Sequence, residues 1–147
     1  MKKLHFLVPF LFLIISMFCS VSFAQNEQNP TVQSQEISET DGISVLIKHL
    51  PDWQNKQKTA VLVNNSDDLR KVLGNRPIFE TIEFIQGTEA VTANYTEGKL
   101  LIVEYNTPQA SAATDSKIKA GINNSTEKIF YRRIGNYNVL LFDGTDE

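Results

Sequence analysis

Sulfur and imidazole are nearly missing from this chain: one cysteine, Cys19, and two histidines, His5 and His49, serve 147 residues. Cys19 and His5 both fall at the N-terminus, where Lys2 and Lys3 precede an apolar run over 4–18 and Ser22 and Ala24 flank Phe23. Basic, apolar and small residues in that order form an export signal, with cleavage expected after Ala24. Interrupted by His5 and Pro9, the run is shorter than the roughly 20 residues that span a bilayer. An uncleaved anchor is the alternative reading. A lipoprotein signal at Cys19 is a third, set back by the bulky Phe18 before it.

Loss of the leader leaves no cysteine and a single histidine. No disulfide then staples the exported chain, so burial of apolar surface has to hold it together. Thiol catalysis and thiolate or histidine-cluster zinc sites are excluded by count. His49 has no serine, cysteine or acid placed beside it for a nucleophilic relay and reads as a lone surface histidine. Glycines number only 7 and are scattered, so no phosphate cradle of the GxxxxGKS or GxGxxG kind exists. No cofactor is expected.

A basic excess is missing too. Fourteen Lys and Arg face seventeen Asp and Glu, and removal of Lys2 and Lys3 takes the net charge from −3 to −5. That acidity argues against nucleic acid or an anionic membrane as partner, and against insertion into the membrane after cleavage. Tyr131-Arg132-Arg133 interleaves aromatic and basic groups, but three residues on an acidic protein do not make a nucleic-acid site.

What is present divides into a leader over 1–24, a polar linker over 25–42 and one domain over 43–147. The linker holds Glu27, Glu36, Glu39 and Asp41 with no base and only Val32 and Ile37 as sizeable apolar groups, the composition of a disordered tether. Segment 43–50 is compatible with a strand or a short helix, and 59–63 reads as a strand. A short helix over about 66–73 has a capping Asn65 or Ser66, first-turn acids, last-turn bases and Gly74 after it. Segment 78–86 fits helical and alternating periods alike. Val91, Ala93 and Tyr95 alternate, a turn follows at 96–99, and 100–105 is an apolar strand broken by Glu104, which together predict a hairpin. Thr107-Pro108 opens a main helix over about 108–121 and Gly121 is its expected stop. Ala110, Ala113 and Ala120 offer it a thin side toward a sheet. Segments 128–134 and 137–142 predict a second hairpin across Gly135-Asn136, with glycine first as a type II′ turn requires.

The hairpins echo each other: Thr88-Glu89, a strand, Gly98 and 100–105 are matched by Thr126-Glu127, a strand, Gly135 and 137–142. A helix should then follow the second hairpin as it does the first. Gly144-Thr145-Asp146-Glu147 fits the start of such a closing helix, cut short by truncation, as well as it fits a frayed polar tail.

Asp52, Asp67, Asp68, Glu80, Glu83, Glu89 and Glu104 could act in pairs, as glycoside hydrolysis demands. Asp67 and Asp68 are better explained as helix-start charges and Glu89 as a strand-edge residue. Glu104 interrupts an apolar strand and, if buried, needs a partner, for which Arg132 or Arg133 is the expected donor. Trp53 after Pro51 reads as a corner aromatic ahead of a ligand platform. The Asn-containing sequons at 64, 94, 123 and 124 read as turn asparagines.

Leu50-Pro51-Asp52-Trp53, Leu73-Gly74-Asn75-Arg76-Pro77, 87–93 and 100–105 with Thr107-Pro108-Gln109 together resemble an uncharacterised family of exported bacterial proteins. The resemblance covers nearly the whole mature chain. It implies export and a compact domain and assigns no activity or site residue.

The expected fold is α+β: an antiparallel sheet of two hairpins plus one or two N-terminal strands, with one main helix and one short helix. The expected function is a non-catalytic periplasmic or secreted accessory domain that binds a protein or small molecule. The alternative is a carboxylate-dependent hydrolase.

Overall fold

A computed structural model describes residues 41–143; the expected leader, nearly all of the expected linker and the last four residues lie outside the described residues. The order of elements is α1 (Val45–Lys48), α2 (Trp53–Lys56), β1 (Val61–Val63), α3 (Ser66–Leu73), a 3-10 turn (Pro77–Thr81), β2 (Glu89–Tyr95), β3 (Gly98–Glu104), α4 (Pro108–Asn123), β4 (Ile129–Ile134) and β5 (Tyr137–Asp143). The fold is α+β, as expected. One antiparallel sheet runs in the order β1-β2-β3-β5-β4, so a single N-terminal strand joins the two hairpins.

Local chemistry sets most of the elements. The Asn65 side chain caps α3 by accepting from the Asp68 amide at 2.8 Å, and Gly74 ends the helix at φ +83. Thr107 caps α4 through the Ala110 amide at 3.0 Å, with Pro108 in the first turn. Gly135 has φ +59 while Asn136 stays out of the left-handed region, the sign pattern of the type II′ turn. Segment 43–50, open to two readings, forms the short helix α1, and 78–86 divides into a 3-10 turn and irregular backbone.

Two expectations for the main helix are corrected. Gly121 does not stop α4 but sits inside it, because a Cβ there would stand 2.8 Å from Ile78 Cδ1 and 2.9 Å from Thr81 Cγ2. The glycine lets the helix lie directly against the 3-10 turn. The inward side of α4 is also not built from the three alanines: Ala110 packs against the core, but Ala113 and Ala120 are exposed, and Ser111, Thr114 and Ile118 are buried. Three- and four-residue spacing gathers those three on one face.

The echo between the hairpins takes a definite register. Ala90 pairs with Val103, Val91 with Ile102 and Tyr95 with Gly98; 39 residues on, Ile129 pairs with Phe142, Phe130 with Leu141 and Ile134 with Tyr137. Leu101 and Leu140, also 39 apart, are partners across the central β3–β5 junction. The hairpins are thus related by a local two-fold axis through that pair. Gly98 is not the counterpart of Gly135, for one follows its turn and the other opens it.

The sheet has two unlike faces. Face one carries Ala90, Leu101, Val103, Leu140 and Phe142 and is roofed by Leu69 and Leu73 of α3, Ile78, Phe79 and Ile82 around the 3-10 turn, and Ile118 of α4. The layer over β2–β3 that a second helix in the repeat would occupy is filled by α3 and the 3-10 turn. Face two carries Val91, Ala93, Leu100 and Ile102 and is covered by Leu46 and Leu50 at α1, with Trp53 of α2 packed alongside. That cover is two helices of 4 residues each, too little to span five strands.

Candidate binding surface

Strand register maps what the short cover leaves open. On face two, Ala93, Leu100, Leu141 and Phe130 form one row across β2, β3, β5 and β4. The next row runs Leu62, Val91, Ile102, Val139 and Arg132, and the next Glu89, Glu104, Tyr137 and Ile134. Burial falls off along each row toward β4. Leu100 and Ile102 are buried and Leu141 and Val139 half-buried, while Phe130 is 54% and Ile134 53% exposed. Two large apolar side chains left bare on one face of an edge strand, with Arg132 between them, are a feature to explain, since edges are ordinarily protected by charge, brevity or cover.

The Leu100–Leu141 row also floors a groove of about 410 Å³, walled by Pro51, Asp52, Tyr95 and Glu97. The Tyr95 hydroxyl donates to the Pro51 carbonyl at 2.7 Å and Lys56 donates to the Asn94 carbonyl at 2.7 Å, which pins the α2 corner to the end of β2. Asp52 holds φ +53, uncommon for a residue with a Cβ, and both its carboxylate oxygens accept from the Asn55 amide. Trp53 is a corner aromatic, with Lys48 Nζ 5.6 Å from its ring.

Below the open half, on face one, lies a buried polar cluster. Asn138 has no exposed surface. Its Oδ1 accepts from Ser111 Oγ at 2.9 Å and its Nδ2 donates to Thr114 Oγ1 at 2.9 Å. The Tyr131 hydroxyl stands 3.0 Å from Asn138 Oδ1 and 2.9 Å from Asp115 Oδ1, and its one proton serves one acceptor at a time. Tyr105 packs beside Thr114 and Asn138 with its hydroxyl outside hydrogen-bond geometry. Asp115 is held below the usual carboxylate range by the Lys119 ammonium first and the Tyr131 hydroxyl after it, against the opposing effect of burial. Asp115, Lys119, Tyr131, Arg132 and Arg133 line a polar groove of about 340 Å³ at the surface of this cluster.

All four tyrosines are pushed above the ordinary value near 10. Burial is the first cause in each. The charge of Asp52 adds to it at Tyr95, a hydrogen bond to Asp115 at Tyr131, and the charge and hydrogen bond of Glu104 at Tyr137, which rises to about 12. A raised tyrosine binds its proton more tightly folded than unfolded, so its stabilisation is complete below pH 10 and is lost as pH rises toward 12. In a titration followed by tyrosinate absorbance, no tyrosine should ionise with a midpoint at 10. The rise should come later and coincide with loss of near-ultraviolet circular dichroism.

The candidate acids disperse. Asp67 pairs with Arg70, Asp68 with Lys71, Glu80 with Arg70 and Glu83 with Lys117. Only Glu89 and Glu104 stand directly opposite each other, which brings their Cβ atoms to about 5 Å. Glu104 is fully buried, so no substrate in solvent reaches it. The expected Arg132 or Arg133 partner for Glu104 is corrected: Glu104 Oε1 accepts from Asn136 Nδ2 at 3.2 Å and the Tyr137 hydroxyl at 3.1 Å. Arg132 lies in the row of Val139, and Arg133 faces Asn138 across the sheet's other side. His49 is exposed and meets Tyr137 edge-on at 5.1 Å. Among the described residues no group of three or more His, Cys, Asp or Glu is placed to hold a metal ion, and no helix is long and apolar enough to cross a membrane.

Sequence reasoning missed Phe130, Ile134 and Asn138 as features of note. In 129–134 both strand phases are apolar, which conceals that one of them is uncovered. Asn138 interrupts an apolar strand as plainly as Glu104 does, and its partners sit three residues apart on a helix far along the chain. No protein-family profile matches this sequence, and no curated protein and no solved structure is significantly similar to it.

Proposed function

We propose that this is an exported bacterial accessory domain, periplasmic or secreted, that binds its partner through the open β5–β4 half of face two and carries out no chemistry there. The observation behind this reading is bare Phe130 in line with the apolar floor of Leu100 and Leu141, with Ile134 bare two rows further along the same face of β4. Apolar surface gathered next to a groove is suited to docking, since association removes it from water at roughly 25 cal/mol per Å². Asp52, Tyr95, Lys56 and Tyr137 around it are committed to hydrogen bonds within the fold. Hydrolysis by a carboxylate pair would have to work through Glu89 and Glu104, where the burial of Glu104 argues against it, or through Asp67 and Glu80, which share Arg70 on the exposed surface with their charges already met.

The test uses immobilised protein and an extract of the cells that make it, which supplies other proteins and the untagged chain itself. Wild type is expected to retain a ligand that Phe130→Ser/Ile134→Ser releases, at least about tenfold in affinity. Both side chains are exposed, so the double variant should unfold within about 1 kcal/mol of wild type. Equal retention by the two proteins, or none by either, contradicts the reading.

A further inference from the structure

We propose that β4 takes up an extended acidic segment of a partner protein as a further strand of the sheet; this rests on β4 being part of the binding surface. Among the described residues β4 is an edge with β5 as its one strand neighbour, and it is 6 residues long where the opposite edge, β1, has 3. The two-residue turn makes Ile134 and Tyr137 a hydrogen-bonded pair, so Phe130, Arg132 and Ile134 commit their backbone groups to β5. The N–H and C=O of Ile129, Tyr131 and Arg133 then point away from the sheet, at the spacing an added strand requires. The strand has no proline and pairs with β5 residue for residue, without a bulge, so charge alone guards this edge.

Room for such a strand is present. Asp115, Lys119, Ile122 and Asn123 form a stripe along α4 that meets β4 across two grooves, of about 340 and 370 Å³, which share Lys119 and Tyr131. Tyr131 and Arg133 belong to face one and Arg132 to face two, yet all three line the first groove, so it reaches round the free edge of the strand. Charge selects what enters. From Lys128 to Ile134 there are three bases and no acid, on a chain whose net charge is −3. Asp115 is already met by Lys119 and the Tyr131 hydroxyl. Arg132 and Arg133 are exposed and form no ion pair among the described residues; Arg133 reaches only the Gly135 carbonyl, at 3.3 Å. A second β4 laid antiparallel on this edge would gather the arginines of both copies around its axis with no acid among them, so the edge repels its own copy. A strand with two adjacent acids sets one carboxylate opposite each arginine, on opposite faces, and its apolar residues lie beside Phe130 and Ile134 on face two.

Nuclear magnetic resonance of the isotope-labelled protein, isolated from the cells that produce it, tests the proposal with two capped hexapeptides. One carries two central glutamates among valines and threonines, and the other has lysines in their place. The glutamate peptide is expected to bind at least about tenfold more tightly than the lysine peptide. At saturation, hydrogen exchange should slow at least about tenfold at the Ile129, Tyr131 and Arg133 amides and stay unchanged at the Phe130, Arg132 and Ile134 amides, which β5 already protects. Arg133→Pro should bind the glutamate peptide at least about tenfold more weakly than Arg133→Val, which loses the same charge and keeps the N–H. Proline is tolerated on an edge strand where the N–H faces solvent, and circular dichroism checks that both variants are folded. Should Arg133→Pro not fold, the exchange pattern of wild type decides. Equal affinity for the two peptides, no binding of either, or slowing that does not alternate along β4 overturns the proposal. If that occurs while Phe130→Ser/Ile134→Ser still releases a captured protein, strand addition is excluded and the binding face stands. If capture fails as well, both readings fall.

Discussion

Asn138→Ala should cost about 3–5 kcal/mol of folding stability and be among the most damaging single substitutions on the sheet. The amide is fully buried between β5 and α4 and holds three hydroxyls: Ser111, Thr114 and Tyr131. Alanine removes none of those hydroxyls and satisfies none of them. Ser111 and Thr114 are buried and would lose a partner with no water to replace it, at about 1–3 kcal/mol each. Thr114 retains the Ser111 carbonyl and Tyr131 retains Asp115, which sets the ceiling. Urea unfolding of the two proteins measures the difference. A loss below about 1 kcal/mol would mean that the cluster is wet or loosely held.

Leu101→Ala and Leu140→Ala should destabilise by roughly 2–5 kcal/mol each and by nearly equal amounts. These leucines have no exposed surface, pair with each other at the junction of the hairpins and hold equivalent places 39 residues apart. The strands around the two are equivalent, although α3 and the 3-10 turn roof one side and α4 the other, so the penalties should be similar rather than identical. As they are neighbours, the double variant should lose less than the sum of the two. Leu62→Ala, by contrast, removes a side chain that is 46% exposed on the short edge strand β1 and should cost well under half as much. A loss below about 2 kcal/mol at either leucine would mean that the junction of the hairpins is not tightly packed.

The parts of this fold that were legible in the sequence are those that local chemistry decides. Asn65 and Thr107 cap their helices, Gly135 opens its turn, and β-branched and aromatic runs mark the hairpins, because each signal acts within a few residues. What escaped depends on contacts between distant segments. Gly121 has the position of a helix stop, yet the side chains of Ile78 and Thr81 decide its role. Ala110, Ala113 and Ala120 suggested a thin inner side for α4; only Ala110 packs on the core, whereas Ser111 and Thr114 turn inward to meet Asn138. Glu104 was read as needing a cation, and the Tyr137 hydroxyl and Asn136 amide serve it from the adjoining turn. The proposed binding surface was the least legible. Phe130 and Ile134 belong to a strand that is apolar on both phases, and their exposure follows only from how little of face two α1 and α2 cover.

Hydroxyl-radical footprinting of side chains tests that surface most directly. Comparison of the protein with and without its bound ligand should show Phe130 and Ile134 losing most of their reactivity on binding. The exposed Val72 of α3, on the far side of the sheet, should react equally in both states. Unchanged labelling of Phe130 and Ile134 in the bound state would contradict the assignment of face two as the binding surface.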